Sequence, residues 1–298
     1  MKAYRVIYMD AFTSEPFSGN PCAVLPQAEG LTDAQMQKIA LETNLSETAF
    51  VFPSDKAAVR VRYFMPRKEI PFAGHPTIAT AMMLAQENLL PHDVPVLTAA
   101  FEFTIGVLPV EIHYASDGMP LKAVMTQRKP VFGDTLEIGI LAEGLGLGAE
   151  DFRDNVPLQV VDTGVPFLVA PVKGLNILRK ARINPGPFQT LLDRVGVDAA
   201  YLFCLGGFGP DVDAHGRLFS STAGAEDPFT GSAAGCMGAY MARYGLRPGP
   251  VFTVEQGHLM GRPGVGTIEV QGSGNAVESV KVGGNAVKTL EGVIYVNG

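Results

Sequence analysis

Residues 71–85 read PFAGHPTIATAMMLA, and residues 228–241 read PFTGSAAGCMGAYM. Pro71, Phe72 and Gly74 return as Pro228, Phe229 and Gly231, 157 residues later, which is about half the chain. In both places a strand and loop end at PFxG, and a run of small and apolar residues follows that predicts a helix buried on most sides. A repeat of this length implies a duplicated domain rather than a solenoid. Two such halves are expected to set two helix N-termini on either side of one cleft. A helix N-terminus carries unpaired N–H groups and a partial positive charge, so a facing pair would hold a carboxylate or an enolate-like anion. Gly74 and Gly231 let the backbone approach a ligand. His75 and Ser232 follow them at equivalent positions and can bond a substrate there. The plainer reading of either loop alone is a strand end and a helix start, with Ser232 a simple cap. Function is favoured by the matched pair.

Outward from these loops, AYRVIYMDAF reads as a buried strand, PFSGNP as turn residues and CAVLP as its resumption. Thr32 before Asp33, with Gln35 three residues on, predicts a capping box opening an amphipathic helix. SETAFVFP and VRVRYFMP alternate like paired strands. Strands are expected from about 95 to 131, short helical pieces over 133–156, a strand in PLQVVDTGVPFLVAPV, a helix over 183–196 and a strand in AAYLFCLGG. HGRLFSST then leads through a loop to the second buried helix. The tail reads as β-hairpins with Gly-Asn and Gly-Gly turns. The expected class is α/β (α+β). It has two pseudo-symmetric halves, 1–118 joined by 286–298 and 119–285, each a mixed sheet wrapped around a central helix.

Composition narrows the function. The chain has 298 residues, 47% hydrophobic and 18% charged, with a formal net charge of -7. No basic run exceeds Arg67-Lys68, which argues against nucleic acid. The N-terminal stretch has no apolar core of signal-peptide length, and no apolar run approaches the roughly 18 residues of a membrane span. Cys22, Cys204 and Cys236 are too few and too scattered for a disulfide framework or a zinc motif, so a reducing cytoplasm is expected. Dinucleotide, phosphate-loop and HExxH patterns are missing, and the five histidines show no metal-ligand spacing. No metal and no cofactor are expected.

The residues PFSGNPCAV, LSETAF, EIPFAGHPTIAT and EDPFTGSAAG, with QGHLMGRP at 256–263, resemble the phenazine-biosynthesis PhzF-like family of the diaminopimelate epimerase-like superfamily. They fall in the family's order and span nearly the whole chain. The resemblance implies an isomerase whose single glutamate in the SET motif, here Glu47, shuttles a proton. It implies His75 and Asp227 as the other acid–base groups. Asn20, Gly74, Gly231 and Ser232 are then the substrate-binding residues. It also implies a homodimer acting on a small-molecule carboxylate. The superfamily's two catalytic thiols correspond here to Ala73 and Thr230, so a two-cysteine racemase is disfavoured. The residues themselves suit the role of Glu47. A carboxylate beside an apolar stretch such as AFVF is desolvated, and its pKa rises toward neutrality. Asp227 can also be read as a turn-former before Pro228. Two alternatives stay open. One is an amino-acid epimerase or racemase with another acid–base pair, perhaps involving Cys22 or Cys236. The other is a non-catalytic small-molecule binder on the same fold.

Overall fold

The computed structural model describes residues 1–220 and 226–297. Residues 221–225, where the sequence reading expects a loop ahead of the second buried helix, lie outside them. The chain divides into two compact units, Met1–Met125 with Gly283–Gly298, and Thr126–Val282. Both are of mixed α and β structure.

The first unit begins with β1 (Lys2–Ala11), β2 (Asn20–Leu25), α1 (Asp33–Thr43), β3 (Thr48–Phe52), β4 (Val59–Met65) and β5 (Lys68–Ile70). It continues with α2 (Gly74–Gln86), β6 (Val96–Phe103), β7 (Gly106–Tyr114) and β8 (Pro120–Thr126). β1 is antiparallel to β2, β2 parallel to β3, and β3 antiparallel to β4. β6 runs parallel to β4 and antiparallel to β7. The capping box of α1 is present: Gln35 N–H donates to Thr32 Oγ1 and Thr32 N–H to Gln35 Oε1. The apolar face of α1, with Met36, Ile39 and Ala40, joins a core that includes Phe50 and Phe64 in edge-to-face contact.

The second unit contains β9 (Val131–Leu136), α3 (Ile138–Leu145), β10 (Leu158–Asp162), β11 (Pro166–Pro171), α4 (Leu175–Lys180) and α5 (Pro185–Val195). It goes on through β12 (Ala199–Leu205), β13 (Ala214–Ser220), α6 (Gly231–Arg243), β14 (Val251–Gln256), β15 (Gly264–Gln271) and β16 (Ser279–Gly284). β17 (Ala286–Val296) belongs to the first unit and runs antiparallel to β1, with a bulge at Tyr8/Met9. β11 is parallel to β12, and β13 to β14; β10–β11, β12–β13 and β14–β15 are antiparallel. α3 lies so close to α5 that a Cβ on Gly144 would come within 3.0 Å of the Phe188 backbone.

Each unit has one helix enclosed by strands. Every residue of α2 from His75 to Ala85 is buried, and the helix packs on β1, β2, β3, β7 and β17. In α6 only Ser232, Ala242 and Arg243 escape full burial, and it packs on β10, β11, β12 and β15. Ala, Gly, Thr and Ser keep such helices slim enough for strands to close around them. The larger Ile78, Met82, Met83 and Leu84 each contribute about 1.5–3 kcal/mol by burial.

α2 starts at Gly74 and holds Pro76 in its first turn, where a proline lacks only an N–H that has no intrahelical acceptor anyway. Some local readings differ from the structure. Residues 131–136 form β9, antiparallel to β10, ahead of the helical pieces. Gly283 and Gly284 lie in β16 rather than in a hairpin turn; a Cβ on Gly284 would meet the Phe12 ring at 2.4 Å, so close packing is what requires that glycine. Among the described residues no helix is long and apolar enough to cross a membrane.

Candidate active site

In the first unit the sheet brings Asn20, Glu47 and His75 together. Asn20 opens β2, Glu47 immediately precedes β3 beside it, and His75 is the second residue of α2. Asn20 is fully buried and His75 is 6% exposed. Asn20 Nδ2 lies 3.1 Å from His75 Nδ1. An amide nitrogen only donates, so Nδ1 accepts and the neutral ring carries its proton on Nε2. That nitrogen is 3.4 Å from Glu47 Oε2, an oxygen that accepts no hydrogen bond among the described residues. The Glu47 side chain is 17% exposed. Burial raises its pKa to about 7, against a smaller opposing effect of a hydrogen bond with Ser46. Glu47 is thus held where both its acid and its base form are populated near neutrality.

Gly74 stands at the start of the same helix. Its N-cap, Ala73, is extended and offers no side-chain cap, so the first-turn N–H groups are not spent on one. This end of α2 is fixed from inside the core. Tyr63 O–H donates to Thr77 Oγ1 at 2.8 Å, and Thr77 donates to Ala73 O at 2.6 Å. Nothing in the sequence singled out Tyr63 or Thr77.

In the second unit Asp227, Gly231 and Ser232 gather at the start of α6. Thr230 is the N-cap but does not cap with its side chain; its hydroxyl donates to Asp227 Oδ2 at 2.5 Å. Gln256, buried at the end of β14, holds this loop. Its Nε2 donates to Asp227 O at 2.7 Å and to Thr230 Oγ1 at 3.3 Å. Its Oε1 accepts from Thr230 N–H at 3.1 Å and from Tyr201 O–H at 3.0 Å. A primary amide has no capacity beyond these four bonds. Gln256 opens the fifth sequence motif but had been given no role there. Gln127 Nε2 donates to Gly231 O at 3.0 Å, and a Cβ on Gly235 would strike Gln127 Oε1 at 1.9 Å. Ser232 is half-buried.

The cysteines are free and buried. Burial, reinforced by the Glu47 charge, pushes the Cys22 thiol well up. Burial also raises Cys236 to about 12, although Thr163 bonds its sulfur at 3.2 Å, and Cys204 to about 11. None offers a thiolate near neutral pH. Ala73 and Thr230, which the resemblance sets at the superfamily's thiol positions, are the N-caps of α2 and α6.

Comparison with known proteins identifies the family. The family model described as phenazine biosynthesis-like protein matches residues 9–292. An uncharacterised isomerase of Clostridium acetobutylicum is 34% identical, with all of both chains covered. The trans-2,3-dihydro-3-hydroxyanthranilate isomerase of Pseudomonas aeruginosa is 32% identical over 98% of this chain and 99% of its own. Among solved structures, a Bacillus anthracis phenazine biosynthesis protein of the PhzF family superposes with a TM-score of 0.90 at 32% identity, covering 99% of this chain and 100% of its own. A hydroxyproline epimerase of Agrobacterium vitis, 12% identical with a TM-score of 0.63 over 98% of this chain and 92% of its own, shares the fold. The chain is therefore an isomerase that belongs to the phenazine biosynthesis-like, or PhzF, family.

Proposed function

We propose that this isomerase moves a proton between two carbons of a small carboxylate substrate, with Glu47 as the carrier and no cofactor in the chemical step. The observation that carries the reading is the burial of Glu47, which sets its pKa at about 7, beside His75 Nε2 at 3.4 Å. Ionised Glu47 takes a proton from one carbon. The electron pair left behind delocalises through the substrate's own unsaturation, and the protonated carboxyl returns the proton to a second carbon. No oxidation occurs and the carrier is restored. His75 and Asp227 complete the acid–base set. Asn20, Gly74, Gly231 and Ser232 are assigned to substrate binding on the family resemblance, and the uncapped first turns of α2 and α6 support that assignment for a carboxylate.

The first compound to test is the one that the Pseudomonas aeruginosa relative's name gives, a dihydro-hydroxyanthranilate. The reading takes the two PFxG loops as copies of one ancestral unit, with halves of 1–118 plus 286–298 and 119–285. It includes a cytoplasmic homodimer, on the family resemblance and on three cysteines free of disulfides. A monomeric mass by light scattering at micromolar concentration would remove the dimer. The experiment for the chemistry is a screen of small carboxylates, this compound included, for enzyme-dependent uptake of solvent deuterium. Glu47→Gln is the control. Uptake that persists in that variant rules out Glu47 as carrier.

A further inference from the structure

Parallel pairing of β13 with β14 sets His215 opposite Glu255. His258 follows in the short helical turn after β14. One ligand atom from each of these three residues lies within 4.8 Å of the others. His215 Nδ1 is 3.2 Å from Glu255 Oε2, and His258 Nε2 is 3.7 Å from Glu255 Oε1. His215 and Glu255 are buried, while His258 is 19% exposed. We propose that His215, Glu255 and His258 form a binding site for one divalent transition-metal ion of the zinc type.

Donors about 2.0–2.1 Å from a tetrahedral ion stand about 3.4 Å from one another. The nitrogens of His215 and His258 lie 3.2 and 3.7 Å from the two oxygens of Glu255, one on each, and without an ion His215 Nδ1 is within hydrogen-bond reach of Oε2. The contact at 3.7 Å is too long for a hydrogen bond, so His258 is not placed to anchor the carboxylate. Glu255 is already anchored: Phe208 N–H donates to Oε2 at 2.8 Å and Gly209 N–H to Oε1 at 3.0 Å. The His258 ring is instead held by parallel stacking on Phe208, at 4.6 Å. Its Nδ1 has no hydrogen-bond partner among the described residues, so nothing obliges Nε2 to carry the proton.

Two imidazoles and one carboxylate favour zinc, cobalt or nickel over magnesium or calcium, which prefer all-oxygen sites. Three protein donors leave a fourth position for water. Gln256, which holds the Asp227–Thr230 loop, lies between Glu255 and His258, so the ion would tie down both flanks of that support. The proposal does not depend on the isomerase chemistry.

Zinc titration of the metal-free full-length chain by calorimetry, with cobalt absorption spectra in parallel, tests it. The expected result is one saturable equivalent per chain, cobalt bands of a low-coordinate ion and a zinc-dependent rise in Tm. His258→Ala and His258→Gln, at the more exposed edge of the cluster, should weaken binding by roughly tenfold or more and abolish the Tm rise. Absence of saturable binding overturns the proposal. So does binding that both His258 variants leave unchanged, because the ion then sits elsewhere.

Discussion

Replacing Glu47 with Gln should stabilise the protein, and by an amount that depends on pH. Burial raises the carboxyl from its ordinary 4.5 to about 7. The folded state therefore prefers the protonated form more strongly than the unfolded state does. The protonated group's contribution is intact below pH 4.5 and is lost as pH rises toward and through 7. Each unit of displacement corresponds to about 1.4 kcal/mol, so the full cost of holding an ionised Glu47 in this position is about 3 kcal/mol at alkaline pH. At pH 5.5 only about 1.4 kcal/mol of that cost has developed. Gln keeps the shape and cannot ionise. Urea unfolding of both proteins at pH 5.5 and 8.5 should show Glu47→Gln the more stable, with a gap that widens by about 2 kcal/mol between the two conditions. A constant offset can arise from the amide's own hydrogen bonds, but a widening gap cannot. A gap that is flat with pH, or that narrows, would refute the claim that burial sets the Glu47 pKa.

In a turnover assay with an identified substrate, Glu47→Gln should lose roughly 10²-fold or more in kcat, with KM changed much less, because the binding groups remain. Changing Cys22 and Cys236 together to Ala should preserve most turnover, and thiol alkylation should not inactivate the native enzyme; loss of turnover in a folded double variant would favour the epimerase alternative. Gly235→Ala should destabilise the chain by about 1–3 kcal/mol, since its Cβ displaces the Gln127 amide from Gly231. Adding Gln127→Ala should recover part of that loss in thermal unfolding, and an additive double variant would count against the clash.

The two enclosed helices were legible because their composition is extreme: a helix of Ala, Gly, Thr, Met and Ile has no face for water. The capping box of α1 was legible because it is local, with donor and acceptor three residues apart. Glu47 was less so. Its surroundings suggested desolvation, but the role proposed for it came from the resemblance of whole motifs. The supports of the site were not legible at all. Tyr63 meets Thr77 of α2 from strand β4, and Gln256 reaches back to Asp227 and Thr230 across a chain separation that no spacing rule covers. Likewise, a scan for metal spacing cannot pair His215 with Glu255, because strand register makes them neighbours. Gly283-Gly284 was misread for a similar reason. Paired glycines serve equally well for a tight turn and for a strand that must admit an aromatic ring, and only the position of Phe12 decides.

On the proposed mechanism, the choice of a carboxylate over a thiol follows from where each group starts. Asn20 and Cys22, two residues apart on β2, share a face of the strand, and the Glu47 charge is felt at the Cys22 sulfur. Removal from water disfavours the charged form of any acid, whatever its chemistry, and so raises the pKa of both. A thiol begins near 9 and is driven out of the physiological range, becoming an inert apolar side chain. A carboxyl begins at 4.5 and arrives at about 7, where it can both take and give a proton. A thiol base in such a place would need a compensating positive charge, such as a helix N-terminus aimed at its sulfur. The positions that adjoin the helix N-termini hold Ala73 and Thr230 instead. With those two residues in place, burial that silences the cysteines is the same influence that brings Glu47 to a pKa of about 7.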